Sequence, residues 1–260
     1  MTENEVLKYL NLKNISLNVF GSVDSTNNVL RKMADEGAGE GTCVLANQQT
    51  AGRGRKGRSF YSPSGSGLYL SVLLRPQMQP EDSLLITTAC AVAVSRAIEN
   101  ICKVKTYIKW VNDIYIDDRK VCGILTEAAT NSKTEKLKYV ILGIGINLYQ
   151  PECGFPSDIC SVASSVMKDK RRDTEDLRGE LAAEILNQFF SIYPDLSDNK
   201  IFTEYKSKLF LMGKRVRVFS TMDEYDAQVF DIDKEYRLCV KKENGEIVKL
   251  DSGEVSTKMS

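Results

Sequence analysis

Between residues 106 and 149 the chain passes through four apolar, β-branched segments in close succession: TYIKW (106–110), DIYIDD (113–118), KVCGILTEAA (120–129) and KLKYVILGIGINLY (136–149). Segments that alternate or run apolar at this spacing read as consecutive strands, with Asp117-Asp118-Arg119 as a hairpin turn. The longest apolar helix is expected just upstream, at 81–99, with Leu84, Leu85, Ala89, Val92, Ala93 and Ile98 turned inward. The chain must therefore build a sheet with an apolar helix against it.

Earlier, ISLNVF (15–20) and TCVLAN (42–47) read as strands, and LYLSVLLRP (68–76) as a buried strand stopped by Pro76. Between the first two, Asp24-Ser25-Thr26-Asn27 supplies N-caps to a helix carrying Val29, Leu30, Met33 and Ala34 and closed by Gly37. Helices are expected at 177–193 and 202–209. From Gly213 the character changes to short β segments, RVRVF, YDAQVFDI, RLCVKK and EIVKL, with turns at 222–224, 233–235 and Glu243-Asn244-Gly245. This predicts a small β-barrel-like unit after a larger one, divided at 1–211 and 212–260, the two packed together.

Composition narrows the chemistry. The 260 residues suffice for one large domain with one small one. Lys and Arg total 35, as do Asp and Glu, and a formal charge of 0 argues against a protein that coats DNA. There is no histidine, which excludes Ser-His-Asp and Cys-His catalysis, histidine-ligated zinc and a histidine pH switch. Seven cysteines, none at Cys-x-x-Cys spacing and most inside apolar stretches, read as free buried thiols of a reducing cytoplasm. MTENEVLKYL lacks the pattern of a signal peptide, and no uninterrupted apolar run approaches the about 18–20 residues of a membrane span, so no membrane partner is expected.

The strongest local signal is Gly52-Arg53-Gly54-Arg55-Lys56-Gly57-Arg58, where four of the six residues from 53 to 58 are basic. Glycines let backbone N–H groups approach an anion, and arginines bring planar forks suited to carboxylate and phosphate. The alternative is a solvated arginine–glycine stretch that touches RNA. It is neither a P-loop nor a dinucleotide fingerprint. Lys109-Trp110-Val111-Asn112-Asp113 sets a cation, an amide and a carboxylate at a strand end; alone, it is equally a turn with an Asx hydrogen bond. Lys120 enters a buried strand, which by default leaves it solvated. Gly143 and Gly145 weaken an apolar strand unless a ligand or another backbone comes close, a hint of a binding surface. Ser25, Thr26 and Asn27 either cap a helix or contact a ligand.

Taken in order, Asp24-Ser25-Thr26-Asn27, Gly-Arg-Gly-Arg-Lys-Gly-Arg, Lys-Trp-x-Asn-Asp, Lys-x-x-Gly-Ile-Leu-x-Glu and Gly-Ile-Gly-Ile-Asn resemble the biotin protein ligases, in motifs over about residues 15–150 and in layout over the whole chain. Lipoate ligases share the fold but not the arginine–glycine loop.

The resemblance implies an α+β fold: a class II synthetase-like mixed sheet in the catalytic domain and a small SH3-like β-barrel C-terminal domain. It implies ATP and biotin as substrates, with Mg²⁺, and a lysine on the biotin carrier domain of a biotin-dependent carboxylase or decarboxylase as acceptor. Carried over by motif, Ser25, Thr26 and Asn27 meet the biotin ureido ring and Gln49 lies at the pocket edge. Gly52, Arg53, Gly54 and Arg55 fold over biotin and the adenylate phosphate. Lys120 contacts the biotin carboxylate and that phosphate, and Gly123 and Leu125 line the tail. Arg55, Arg58, Phe60, Lys120 and Asn147 serve ATP. Arg53, Lys120 and Asp113 are the catalytic candidates, Asp113 either holding Mg²⁺ or taking a proton from the incoming amine; no residue is assigned as a dedicated metal ligand. Val111 stands where the family usually has Pro, and Phe60 where many members have Trp.

Only 21 residues precede Ser22, too few for the helix-turn-helix module of members that repress transcription, so a monofunctional type without specific DNA binding is expected. A weak homodimer is expected if strand 140–148 presents an edge. The loop, rich in like charge, is expected to order only over ligand. Two rival readings remain at this point: lipoate or octanoate ligation on the same fold, and an RNA-binding module using the arginine–glycine loop.

Overall fold

The computed structural model describes residues 1–130, 136–168, 176–219, 224–251 and 254–257. Two sheets carry the fold. The larger is built from β1 (Ser16–Phe20), β2 (Thr42–Ala46), β3 (Gly67–Leu74), β4 (Tyr107–Lys109), β5 (Asp113–Ile116), β6 (Arg119–Thr130) and β7 (Leu137–Asn147), in the order β1-β2-β3-β7-β6-β5-β4. β1 and β2 run parallel and every other neighbour is antiparallel, so the sheet is mixed. The second sheet is antiparallel: β8 (Arg215–Phe219), β9 (Glu224–Ile232), β10 (Leu238–Lys242), β11 (Ile247–Leu250) and β12 (Glu254–Thr257), in the order β11-β10-β9-β8-β12. β12 is a strand beyond the four segments read in the sequence, and the turn expected at 222–223 lies outside the described residues.

Helices α1 (Glu3–Leu7), α2 (Thr26–Asp35), α3 (Ser83–Cys102), α4 (Leu177–Ile192) and α5 (Asn199–Ser207) complete the fold. α5 begins three residues before the predicted 202 because Asp198 caps it, accepting from Lys200 N at 2.8 Å. α3 is long and apolar enough to cross a membrane by length and composition, but 67% of its most apolar stretch is buried in the core. Leu84 and Leu85 are only half-buried there, whereas Ala89, Val92, Ala93 and Ile98 are fully inside.

The period-2 alternation of strands gives the large sheet two distinct faces. Leu68, Leu70, Val72 and Leu74 of β3, Ile124 of β6 and Val140, Leu142, Ile144 and Ile146 of β7 join α3 and α4 in the main core. On the opposite face, α2 covers Leu73, Tyr139 and Ile141. Beyond α2 that face carries a row of registered pairs, Tyr69–Gly145–Gly123–Asp113, and beside it Ser71–Gly143–Leu125. Small residues thus leave an open trough where a helix would otherwise pack.

β7 lies between β3 and β6 and is hydrogen-bonded on both sides. The edge expected at 140–148 does not exist, which removes the basis given for a homodimer there. The outer strands are β1 and β4, and β4 is itself bridged at Ile108 to Leu209.

The second sheet is anchored on the turn before β5. Trp110 Nε1 donates to Tyr236 O at 2.8 Å, and Tyr205 Oη donates to Val111 O at 3.1 Å. Tyr236 packs edge-on against Tyr205 and Phe202. The Trp110–Val111 peptide is cis.

Candidate active site

The trough is a cavity of about 460 Å³. Its floor is the glycine strip of β6 and β7, and one end is the N-terminus of α2. Ser25 stands at the cap position of α2 but makes no side-chain cap bond; Asp24 accepts from Ser25 N at 2.7 Å and from Asn28 Nδ2 at 2.8 Å instead. Ser25, Thr26 and Asn27 are buried and line the cavity with Gln49. Gln49 Oε1 accepts from Thr26 N at 2.9 Å and from Thr26 Oγ1 at 3.1 Å, while its Nε2 donates to Ser62 Oγ at 2.9 Å. The carbonyl end of Gln49 is thereby fixed toward α2.

The glycines have steric reasons to be glycine. A Cβ on Gly143 would lie 2.3 Å from Asn27 Oδ1, and one on Gly145 would lie 2.7 Å from the Phe60 ring. A Cβ on Gly52 would lie 2.4 Å from Phe60 O, so Gly52 lets the loop's two arms close on each other. Phe60 rests over the glycine strip, near Gly123 and Gly145.

The arginine–glycine loop forms a small hairpin above the cavity. Arg53 bridges Ser59, Gly54 N donates to Arg58 O at 2.7 Å, and Phe60 N donates to Gly52 O at 2.9 Å. Lys56 and Gly57 take positive φ of 54° and 75° to turn the chain. Arg53 and Arg55 are paired within the protein, Arg53 while exposed and Arg55 half-buried. Arg53 pairs with Glu127 at 3.0 Å and donates to Asn28 Oδ1 at 2.9 Å, and Arg55 NH1 donates to Asn112 Oδ1 at 2.8 Å. Asn112 in turn donates to Ile124 O at 2.7 Å. Two of the loop's four cations therefore have partners within the protein.

At the far end, Lys120 Nζ lies 2.7 Å from Asp113 Oδ1, so Lys120 is not merely solvated at a strand start. The ammonium sits beside Gly123, 3.2 Å from where a Cβ would be, closer than ordinary van der Waals contact. Behind the pair, burial and the adjacent Asp113 carboxylate push the Tyr115 phenol up, and burial pushes the Cys122 thiol up, so neither supplies an anion at neutral pH. Among the described residues, Arg53, Arg55, Lys56, Arg58, Lys109 and Lys120 line the cavity against one carboxylate, Asp113. Such a site receives anions.

Of the residues expected from the sequence, Ser25, Thr26, Asn27, Gln49, Arg53, Gly54, Arg55, Arg58, Phe60, Asp113, Lys120, Gly123 and Leu125 are brought together on this cavity. Gly52 lies behind the lining, and Asn147 is outside it, its amide donating to Ser164 O at 3.2 Å. Sequence reasoning passed over Lys109 and Asn112 as site residues, together with Ser71, Glu127 and Phe219. Alternation along β3 and β6 places Ser71 and Glu127 on the cavity face with Gly123 and Leu125. Phe219, 39% exposed at the end of β8, brings the second sheet to the cavity and carries no local signal.

Comparison with known proteins bears on this geometry. Residues 19–147 match the family model described as the biotin/lipoate A/B protein ligase family. The biotin–[acetyl-CoA-carboxylase] ligase of Mycobacterium tuberculosis is 30% identical over 251 residues, 92% of this chain and 88% of that one. The bifunctional ligase/repressor BirA of Bacillus subtilis is 40% identical over 144 residues, 55% of this chain; the match spans 44% of that protein's length. Among solved structures, the biotin protein ligase from Aquifex aeolicus in complex with biotin and ATP superposes with a TM-score of 0.78 at 28% identity, covering 94% of this chain and 99% of that one. With the glycine strip, the loop above it and the Lys120–Asp113 pair in one cavity, and with similarity along nearly the whole chain, the protein belongs to the biotin/lipoate A/B protein ligase family, within which it falls with the biotin protein ligases.

Proposed function

We propose that the protein activates biotin with ATP to biotinyl-5′-AMP and transfers the biotinyl group to a lysine of a biotin carrier domain, that of a carboxylase such as acetyl-CoA carboxylase. The observation that carries this is the continuity of one cavity. A polar pocket at α2 leads along a glycine floor, under the Phe60 ring, to a lysine at the other end, within reach of the arginine loop. A ureido ring at Thr26 and Gln49 and an acyl tail along Gly143, Gly145, Gly123 and Leu125 bring the carboxylate to Lys120.

In the first step a carboxylate oxygen attacks the α-phosphorus, the bond to the β-phosphate oxygen breaks, and pyrophosphate leaves. Two anions must approach, so catalysis is chiefly positioning and positive charge, which Lys120, Arg53 and Arg55 supply. In the second, the acceptor amine attacks the acyl carbon, an amide bond forms and AMP leaves. Neither step calls for a histidine, and the chain has none.

Mg²⁺ commonly keeps several waters and binds through one or two carboxylates plus substrate phosphates. The lone carboxylate Asp113 fits an ion delivered on the nucleotide, and the ion's contribution is to neutralise phosphate charge. Asp113 is equally placed to take the proton of the incoming amine. We further propose the division at 1–211 and 212–260, supported by the start of the second sheet at Arg215, and a cytoplasmic location, supported by seven free cysteines.

The test mixes the protein with ATP, biotin and a carrier domain and probes for carrier-bound biotin, with lipoate and octanoate as competing acids. Biotin-dependent ATP–pyrophosphate exchange and a labelled carrier are expected; exchange driven by lipoate or octanoate instead would overturn the reading.

A further inference from the structure

Glu127 closes the Lys-x-x-Gly-Ile-Leu-x-Glu segment and has no part in the chemistry above. It sits on the cavity face of β6, opposite Ile141 and next to the Ser71–Gly143–Leu125 row, with its side chain 20% exposed. Its Oε1 meets Arg31 at 2.7 Å and Arg53 at 3.0 Å, and its Oε2 accepts from Asn27 Nδ2 at 2.8 Å. One carboxylate therefore holds both the entry arm of the loop, through Arg53, and the pocket, through Asn27.

The bond to Asn27 sets a polarity. With its nitrogen drawn to Glu127, Asn27 turns its oxygen to Ser71, whose Oγ donates to it at 2.6 Å. Ser71 Oγ is also 2.7 Å from Thr26 Oγ1, which bonds Gln49 Oε1 at 3.1 Å. Gln49 continues to Ser62, and Ser62 Oγ donates to Phe60 O at 2.9 Å. The chain of bonds thus runs beneath the cavity from Arg53 at one arm of the loop to Phe60 at the other.

Two hydroxyl protons serve three oxygen–oxygen contacts in this chain: Ser71–Asn27, Ser71–Thr26 and Thr26–Gln49. Asn27 Oδ1 and Gln49 Oε1 only accept. When Ser71 donates to Asn27 and Thr26 to Gln49, the Ser71 and Thr26 oxygens face each other with no proton between them. With Gln49 Oε1 also served by Thr26 N, two hydroxyl protons still leave one of the three contacts without a proton, and an oxygen there is open to a ligand N–H. A flipped Asn27 would put its own N–H into the chain and remove that shortage.

Resting on the function proposed above, we infer that Glu127 is a positioning residue that couples the loop to the pocket. It keeps Asn27 turned so that the pocket stays acceptor-rich, and it holds Arg53 so that the loop stays over the adenylate.

The experiment measures the biotin Kd by calorimetry and the release rate of biotinyl-5′-AMP in wild type, E127Q, R53Q, E127Q/R53Q and R31Q. E127Q is expected to raise the biotin Kd about fivefold and adenylate release about tenfold, the scale of a partly exposed charged pair. R53Q raises release alone, and the double variant releases no faster than E127Q. R31Q, which removes a partner of Glu127 that touches neither loop nor pocket, changes neither. Additive effects, an E127Q equal to wild type, or an R31Q as impaired as E127Q would each overturn the inference. Should E127Q not fold, E127D keeps the charge but draws it back by one methylene from Asn27 and Arg53; faster release is expected, and an unchanged release rate overturns the coupling. A wild type that binds no biotin and forms no adenylate defeats the functional reading itself, an outcome distinct from all of these.

Discussion

Lys120 and Asp113 meet at 2.7 Å on the cavity floor, and Asp113 Oδ1, buried, takes no hydrogen bond from the described residues beyond that ion pair. Removing the lysine does two things at once. It withdraws the cation that two approaching anions need, and it leaves a carboxylate unbalanced at the same place. Lys120→Ala is expected to slow adenylate formation on the order of 100-fold in single-turnover kinetics, with biotin affinity less affected because Thr26 and Gln49 are untouched. Lys120→Ala with Asp113→Asn should recover part of that loss, the two effects not adding. Adenylate formation at the wild-type rate in Lys120→Ala would remove Lys120 from the first step.

The glycine strip makes a graded prediction. A methyl on Gly143 meets the amide of Asn27, which is held at both ends, whereas a methyl on Gly145 meets the edge of the Phe60 ring. Gly143→Ala is expected to destabilise the fold by about 1–3 kcal/mol and to weaken biotin binding, because Asn27 must leave its bonds. Gly145→Ala should cost less stability, since a ring at the end of a side chain can swing. Thermal unfolding and calorimetry with biotin check the order; a milder Gly143→Ala contradicts it.

The glycine-bearing strands, the helix against them and the loop were legible because each is written locally, in alternation, spacing and backbone freedom. Gly143 and Gly145 could be read as a binding surface from β7 alone. The pairing of Gly145 with Gly123 of β6, and of Gly123 with Asp113, depends on strand order, which alternation does not specify, and the same blindness made β7 look like an edge. Arg53 and Glu127 are 74 residues apart, so a loop that looked like unpaired charge was paired by a distant strand. Phe219 reaches the cavity only because the second sheet docks on Trp110, a relation between two separate sheets.

That docking has a testable energy. Trp110→Phe removes the donor to Tyr236 O and leaves a buried carbonyl without this partner; Tyr205→Phe does the same to Val111 O. Each is expected to lower stability by about 1–3 kcal/mol, read as a shifted denaturation midpoint. Both bonds end on the turn that carries Asn112 and Asp113, so adenylate formation should slow as well. A variant that loses stability but keeps the full single-turnover rate would show that its contact, from the second sheet for Trp110 or from α5 for Tyr205, does not position that turn.

The turn that offers the Tyr236 carbonyl is itself held by one acid. Asp233 accepts from Arg237 N at 3.0 Å and from Arg237 Nε at 2.8 Å, and pairs with Lys249 at 3.1 Å. Tyr236 sits within this turn at a φ of 58°, a left-handed conformation that needs such support. Burial raises the Asp233 pKa, but the Arg237 and Lys249 contacts outweigh it and hold the carboxyl at about 2, below its ordinary 3.8. A pKa depressed in the folded state contributes stability that is complete above the unfolded value and disappears as pH falls through the folded one. The contribution of Asp233 should therefore be full at pH 5 and above, shrink from about pH 4, and be gone near pH 2. Other carboxylates titrate in the same range, so the informative quantity is the difference between wild type and Asp233→Asn. Chemical denaturation of the two proteins across pH 2 to 7 is expected to show wild type the more stable at neutral pH, with the gap closing below about pH 4. A gap that stays constant down to pH 2 would mean that Asp233 supports the turn by shape rather than by charge.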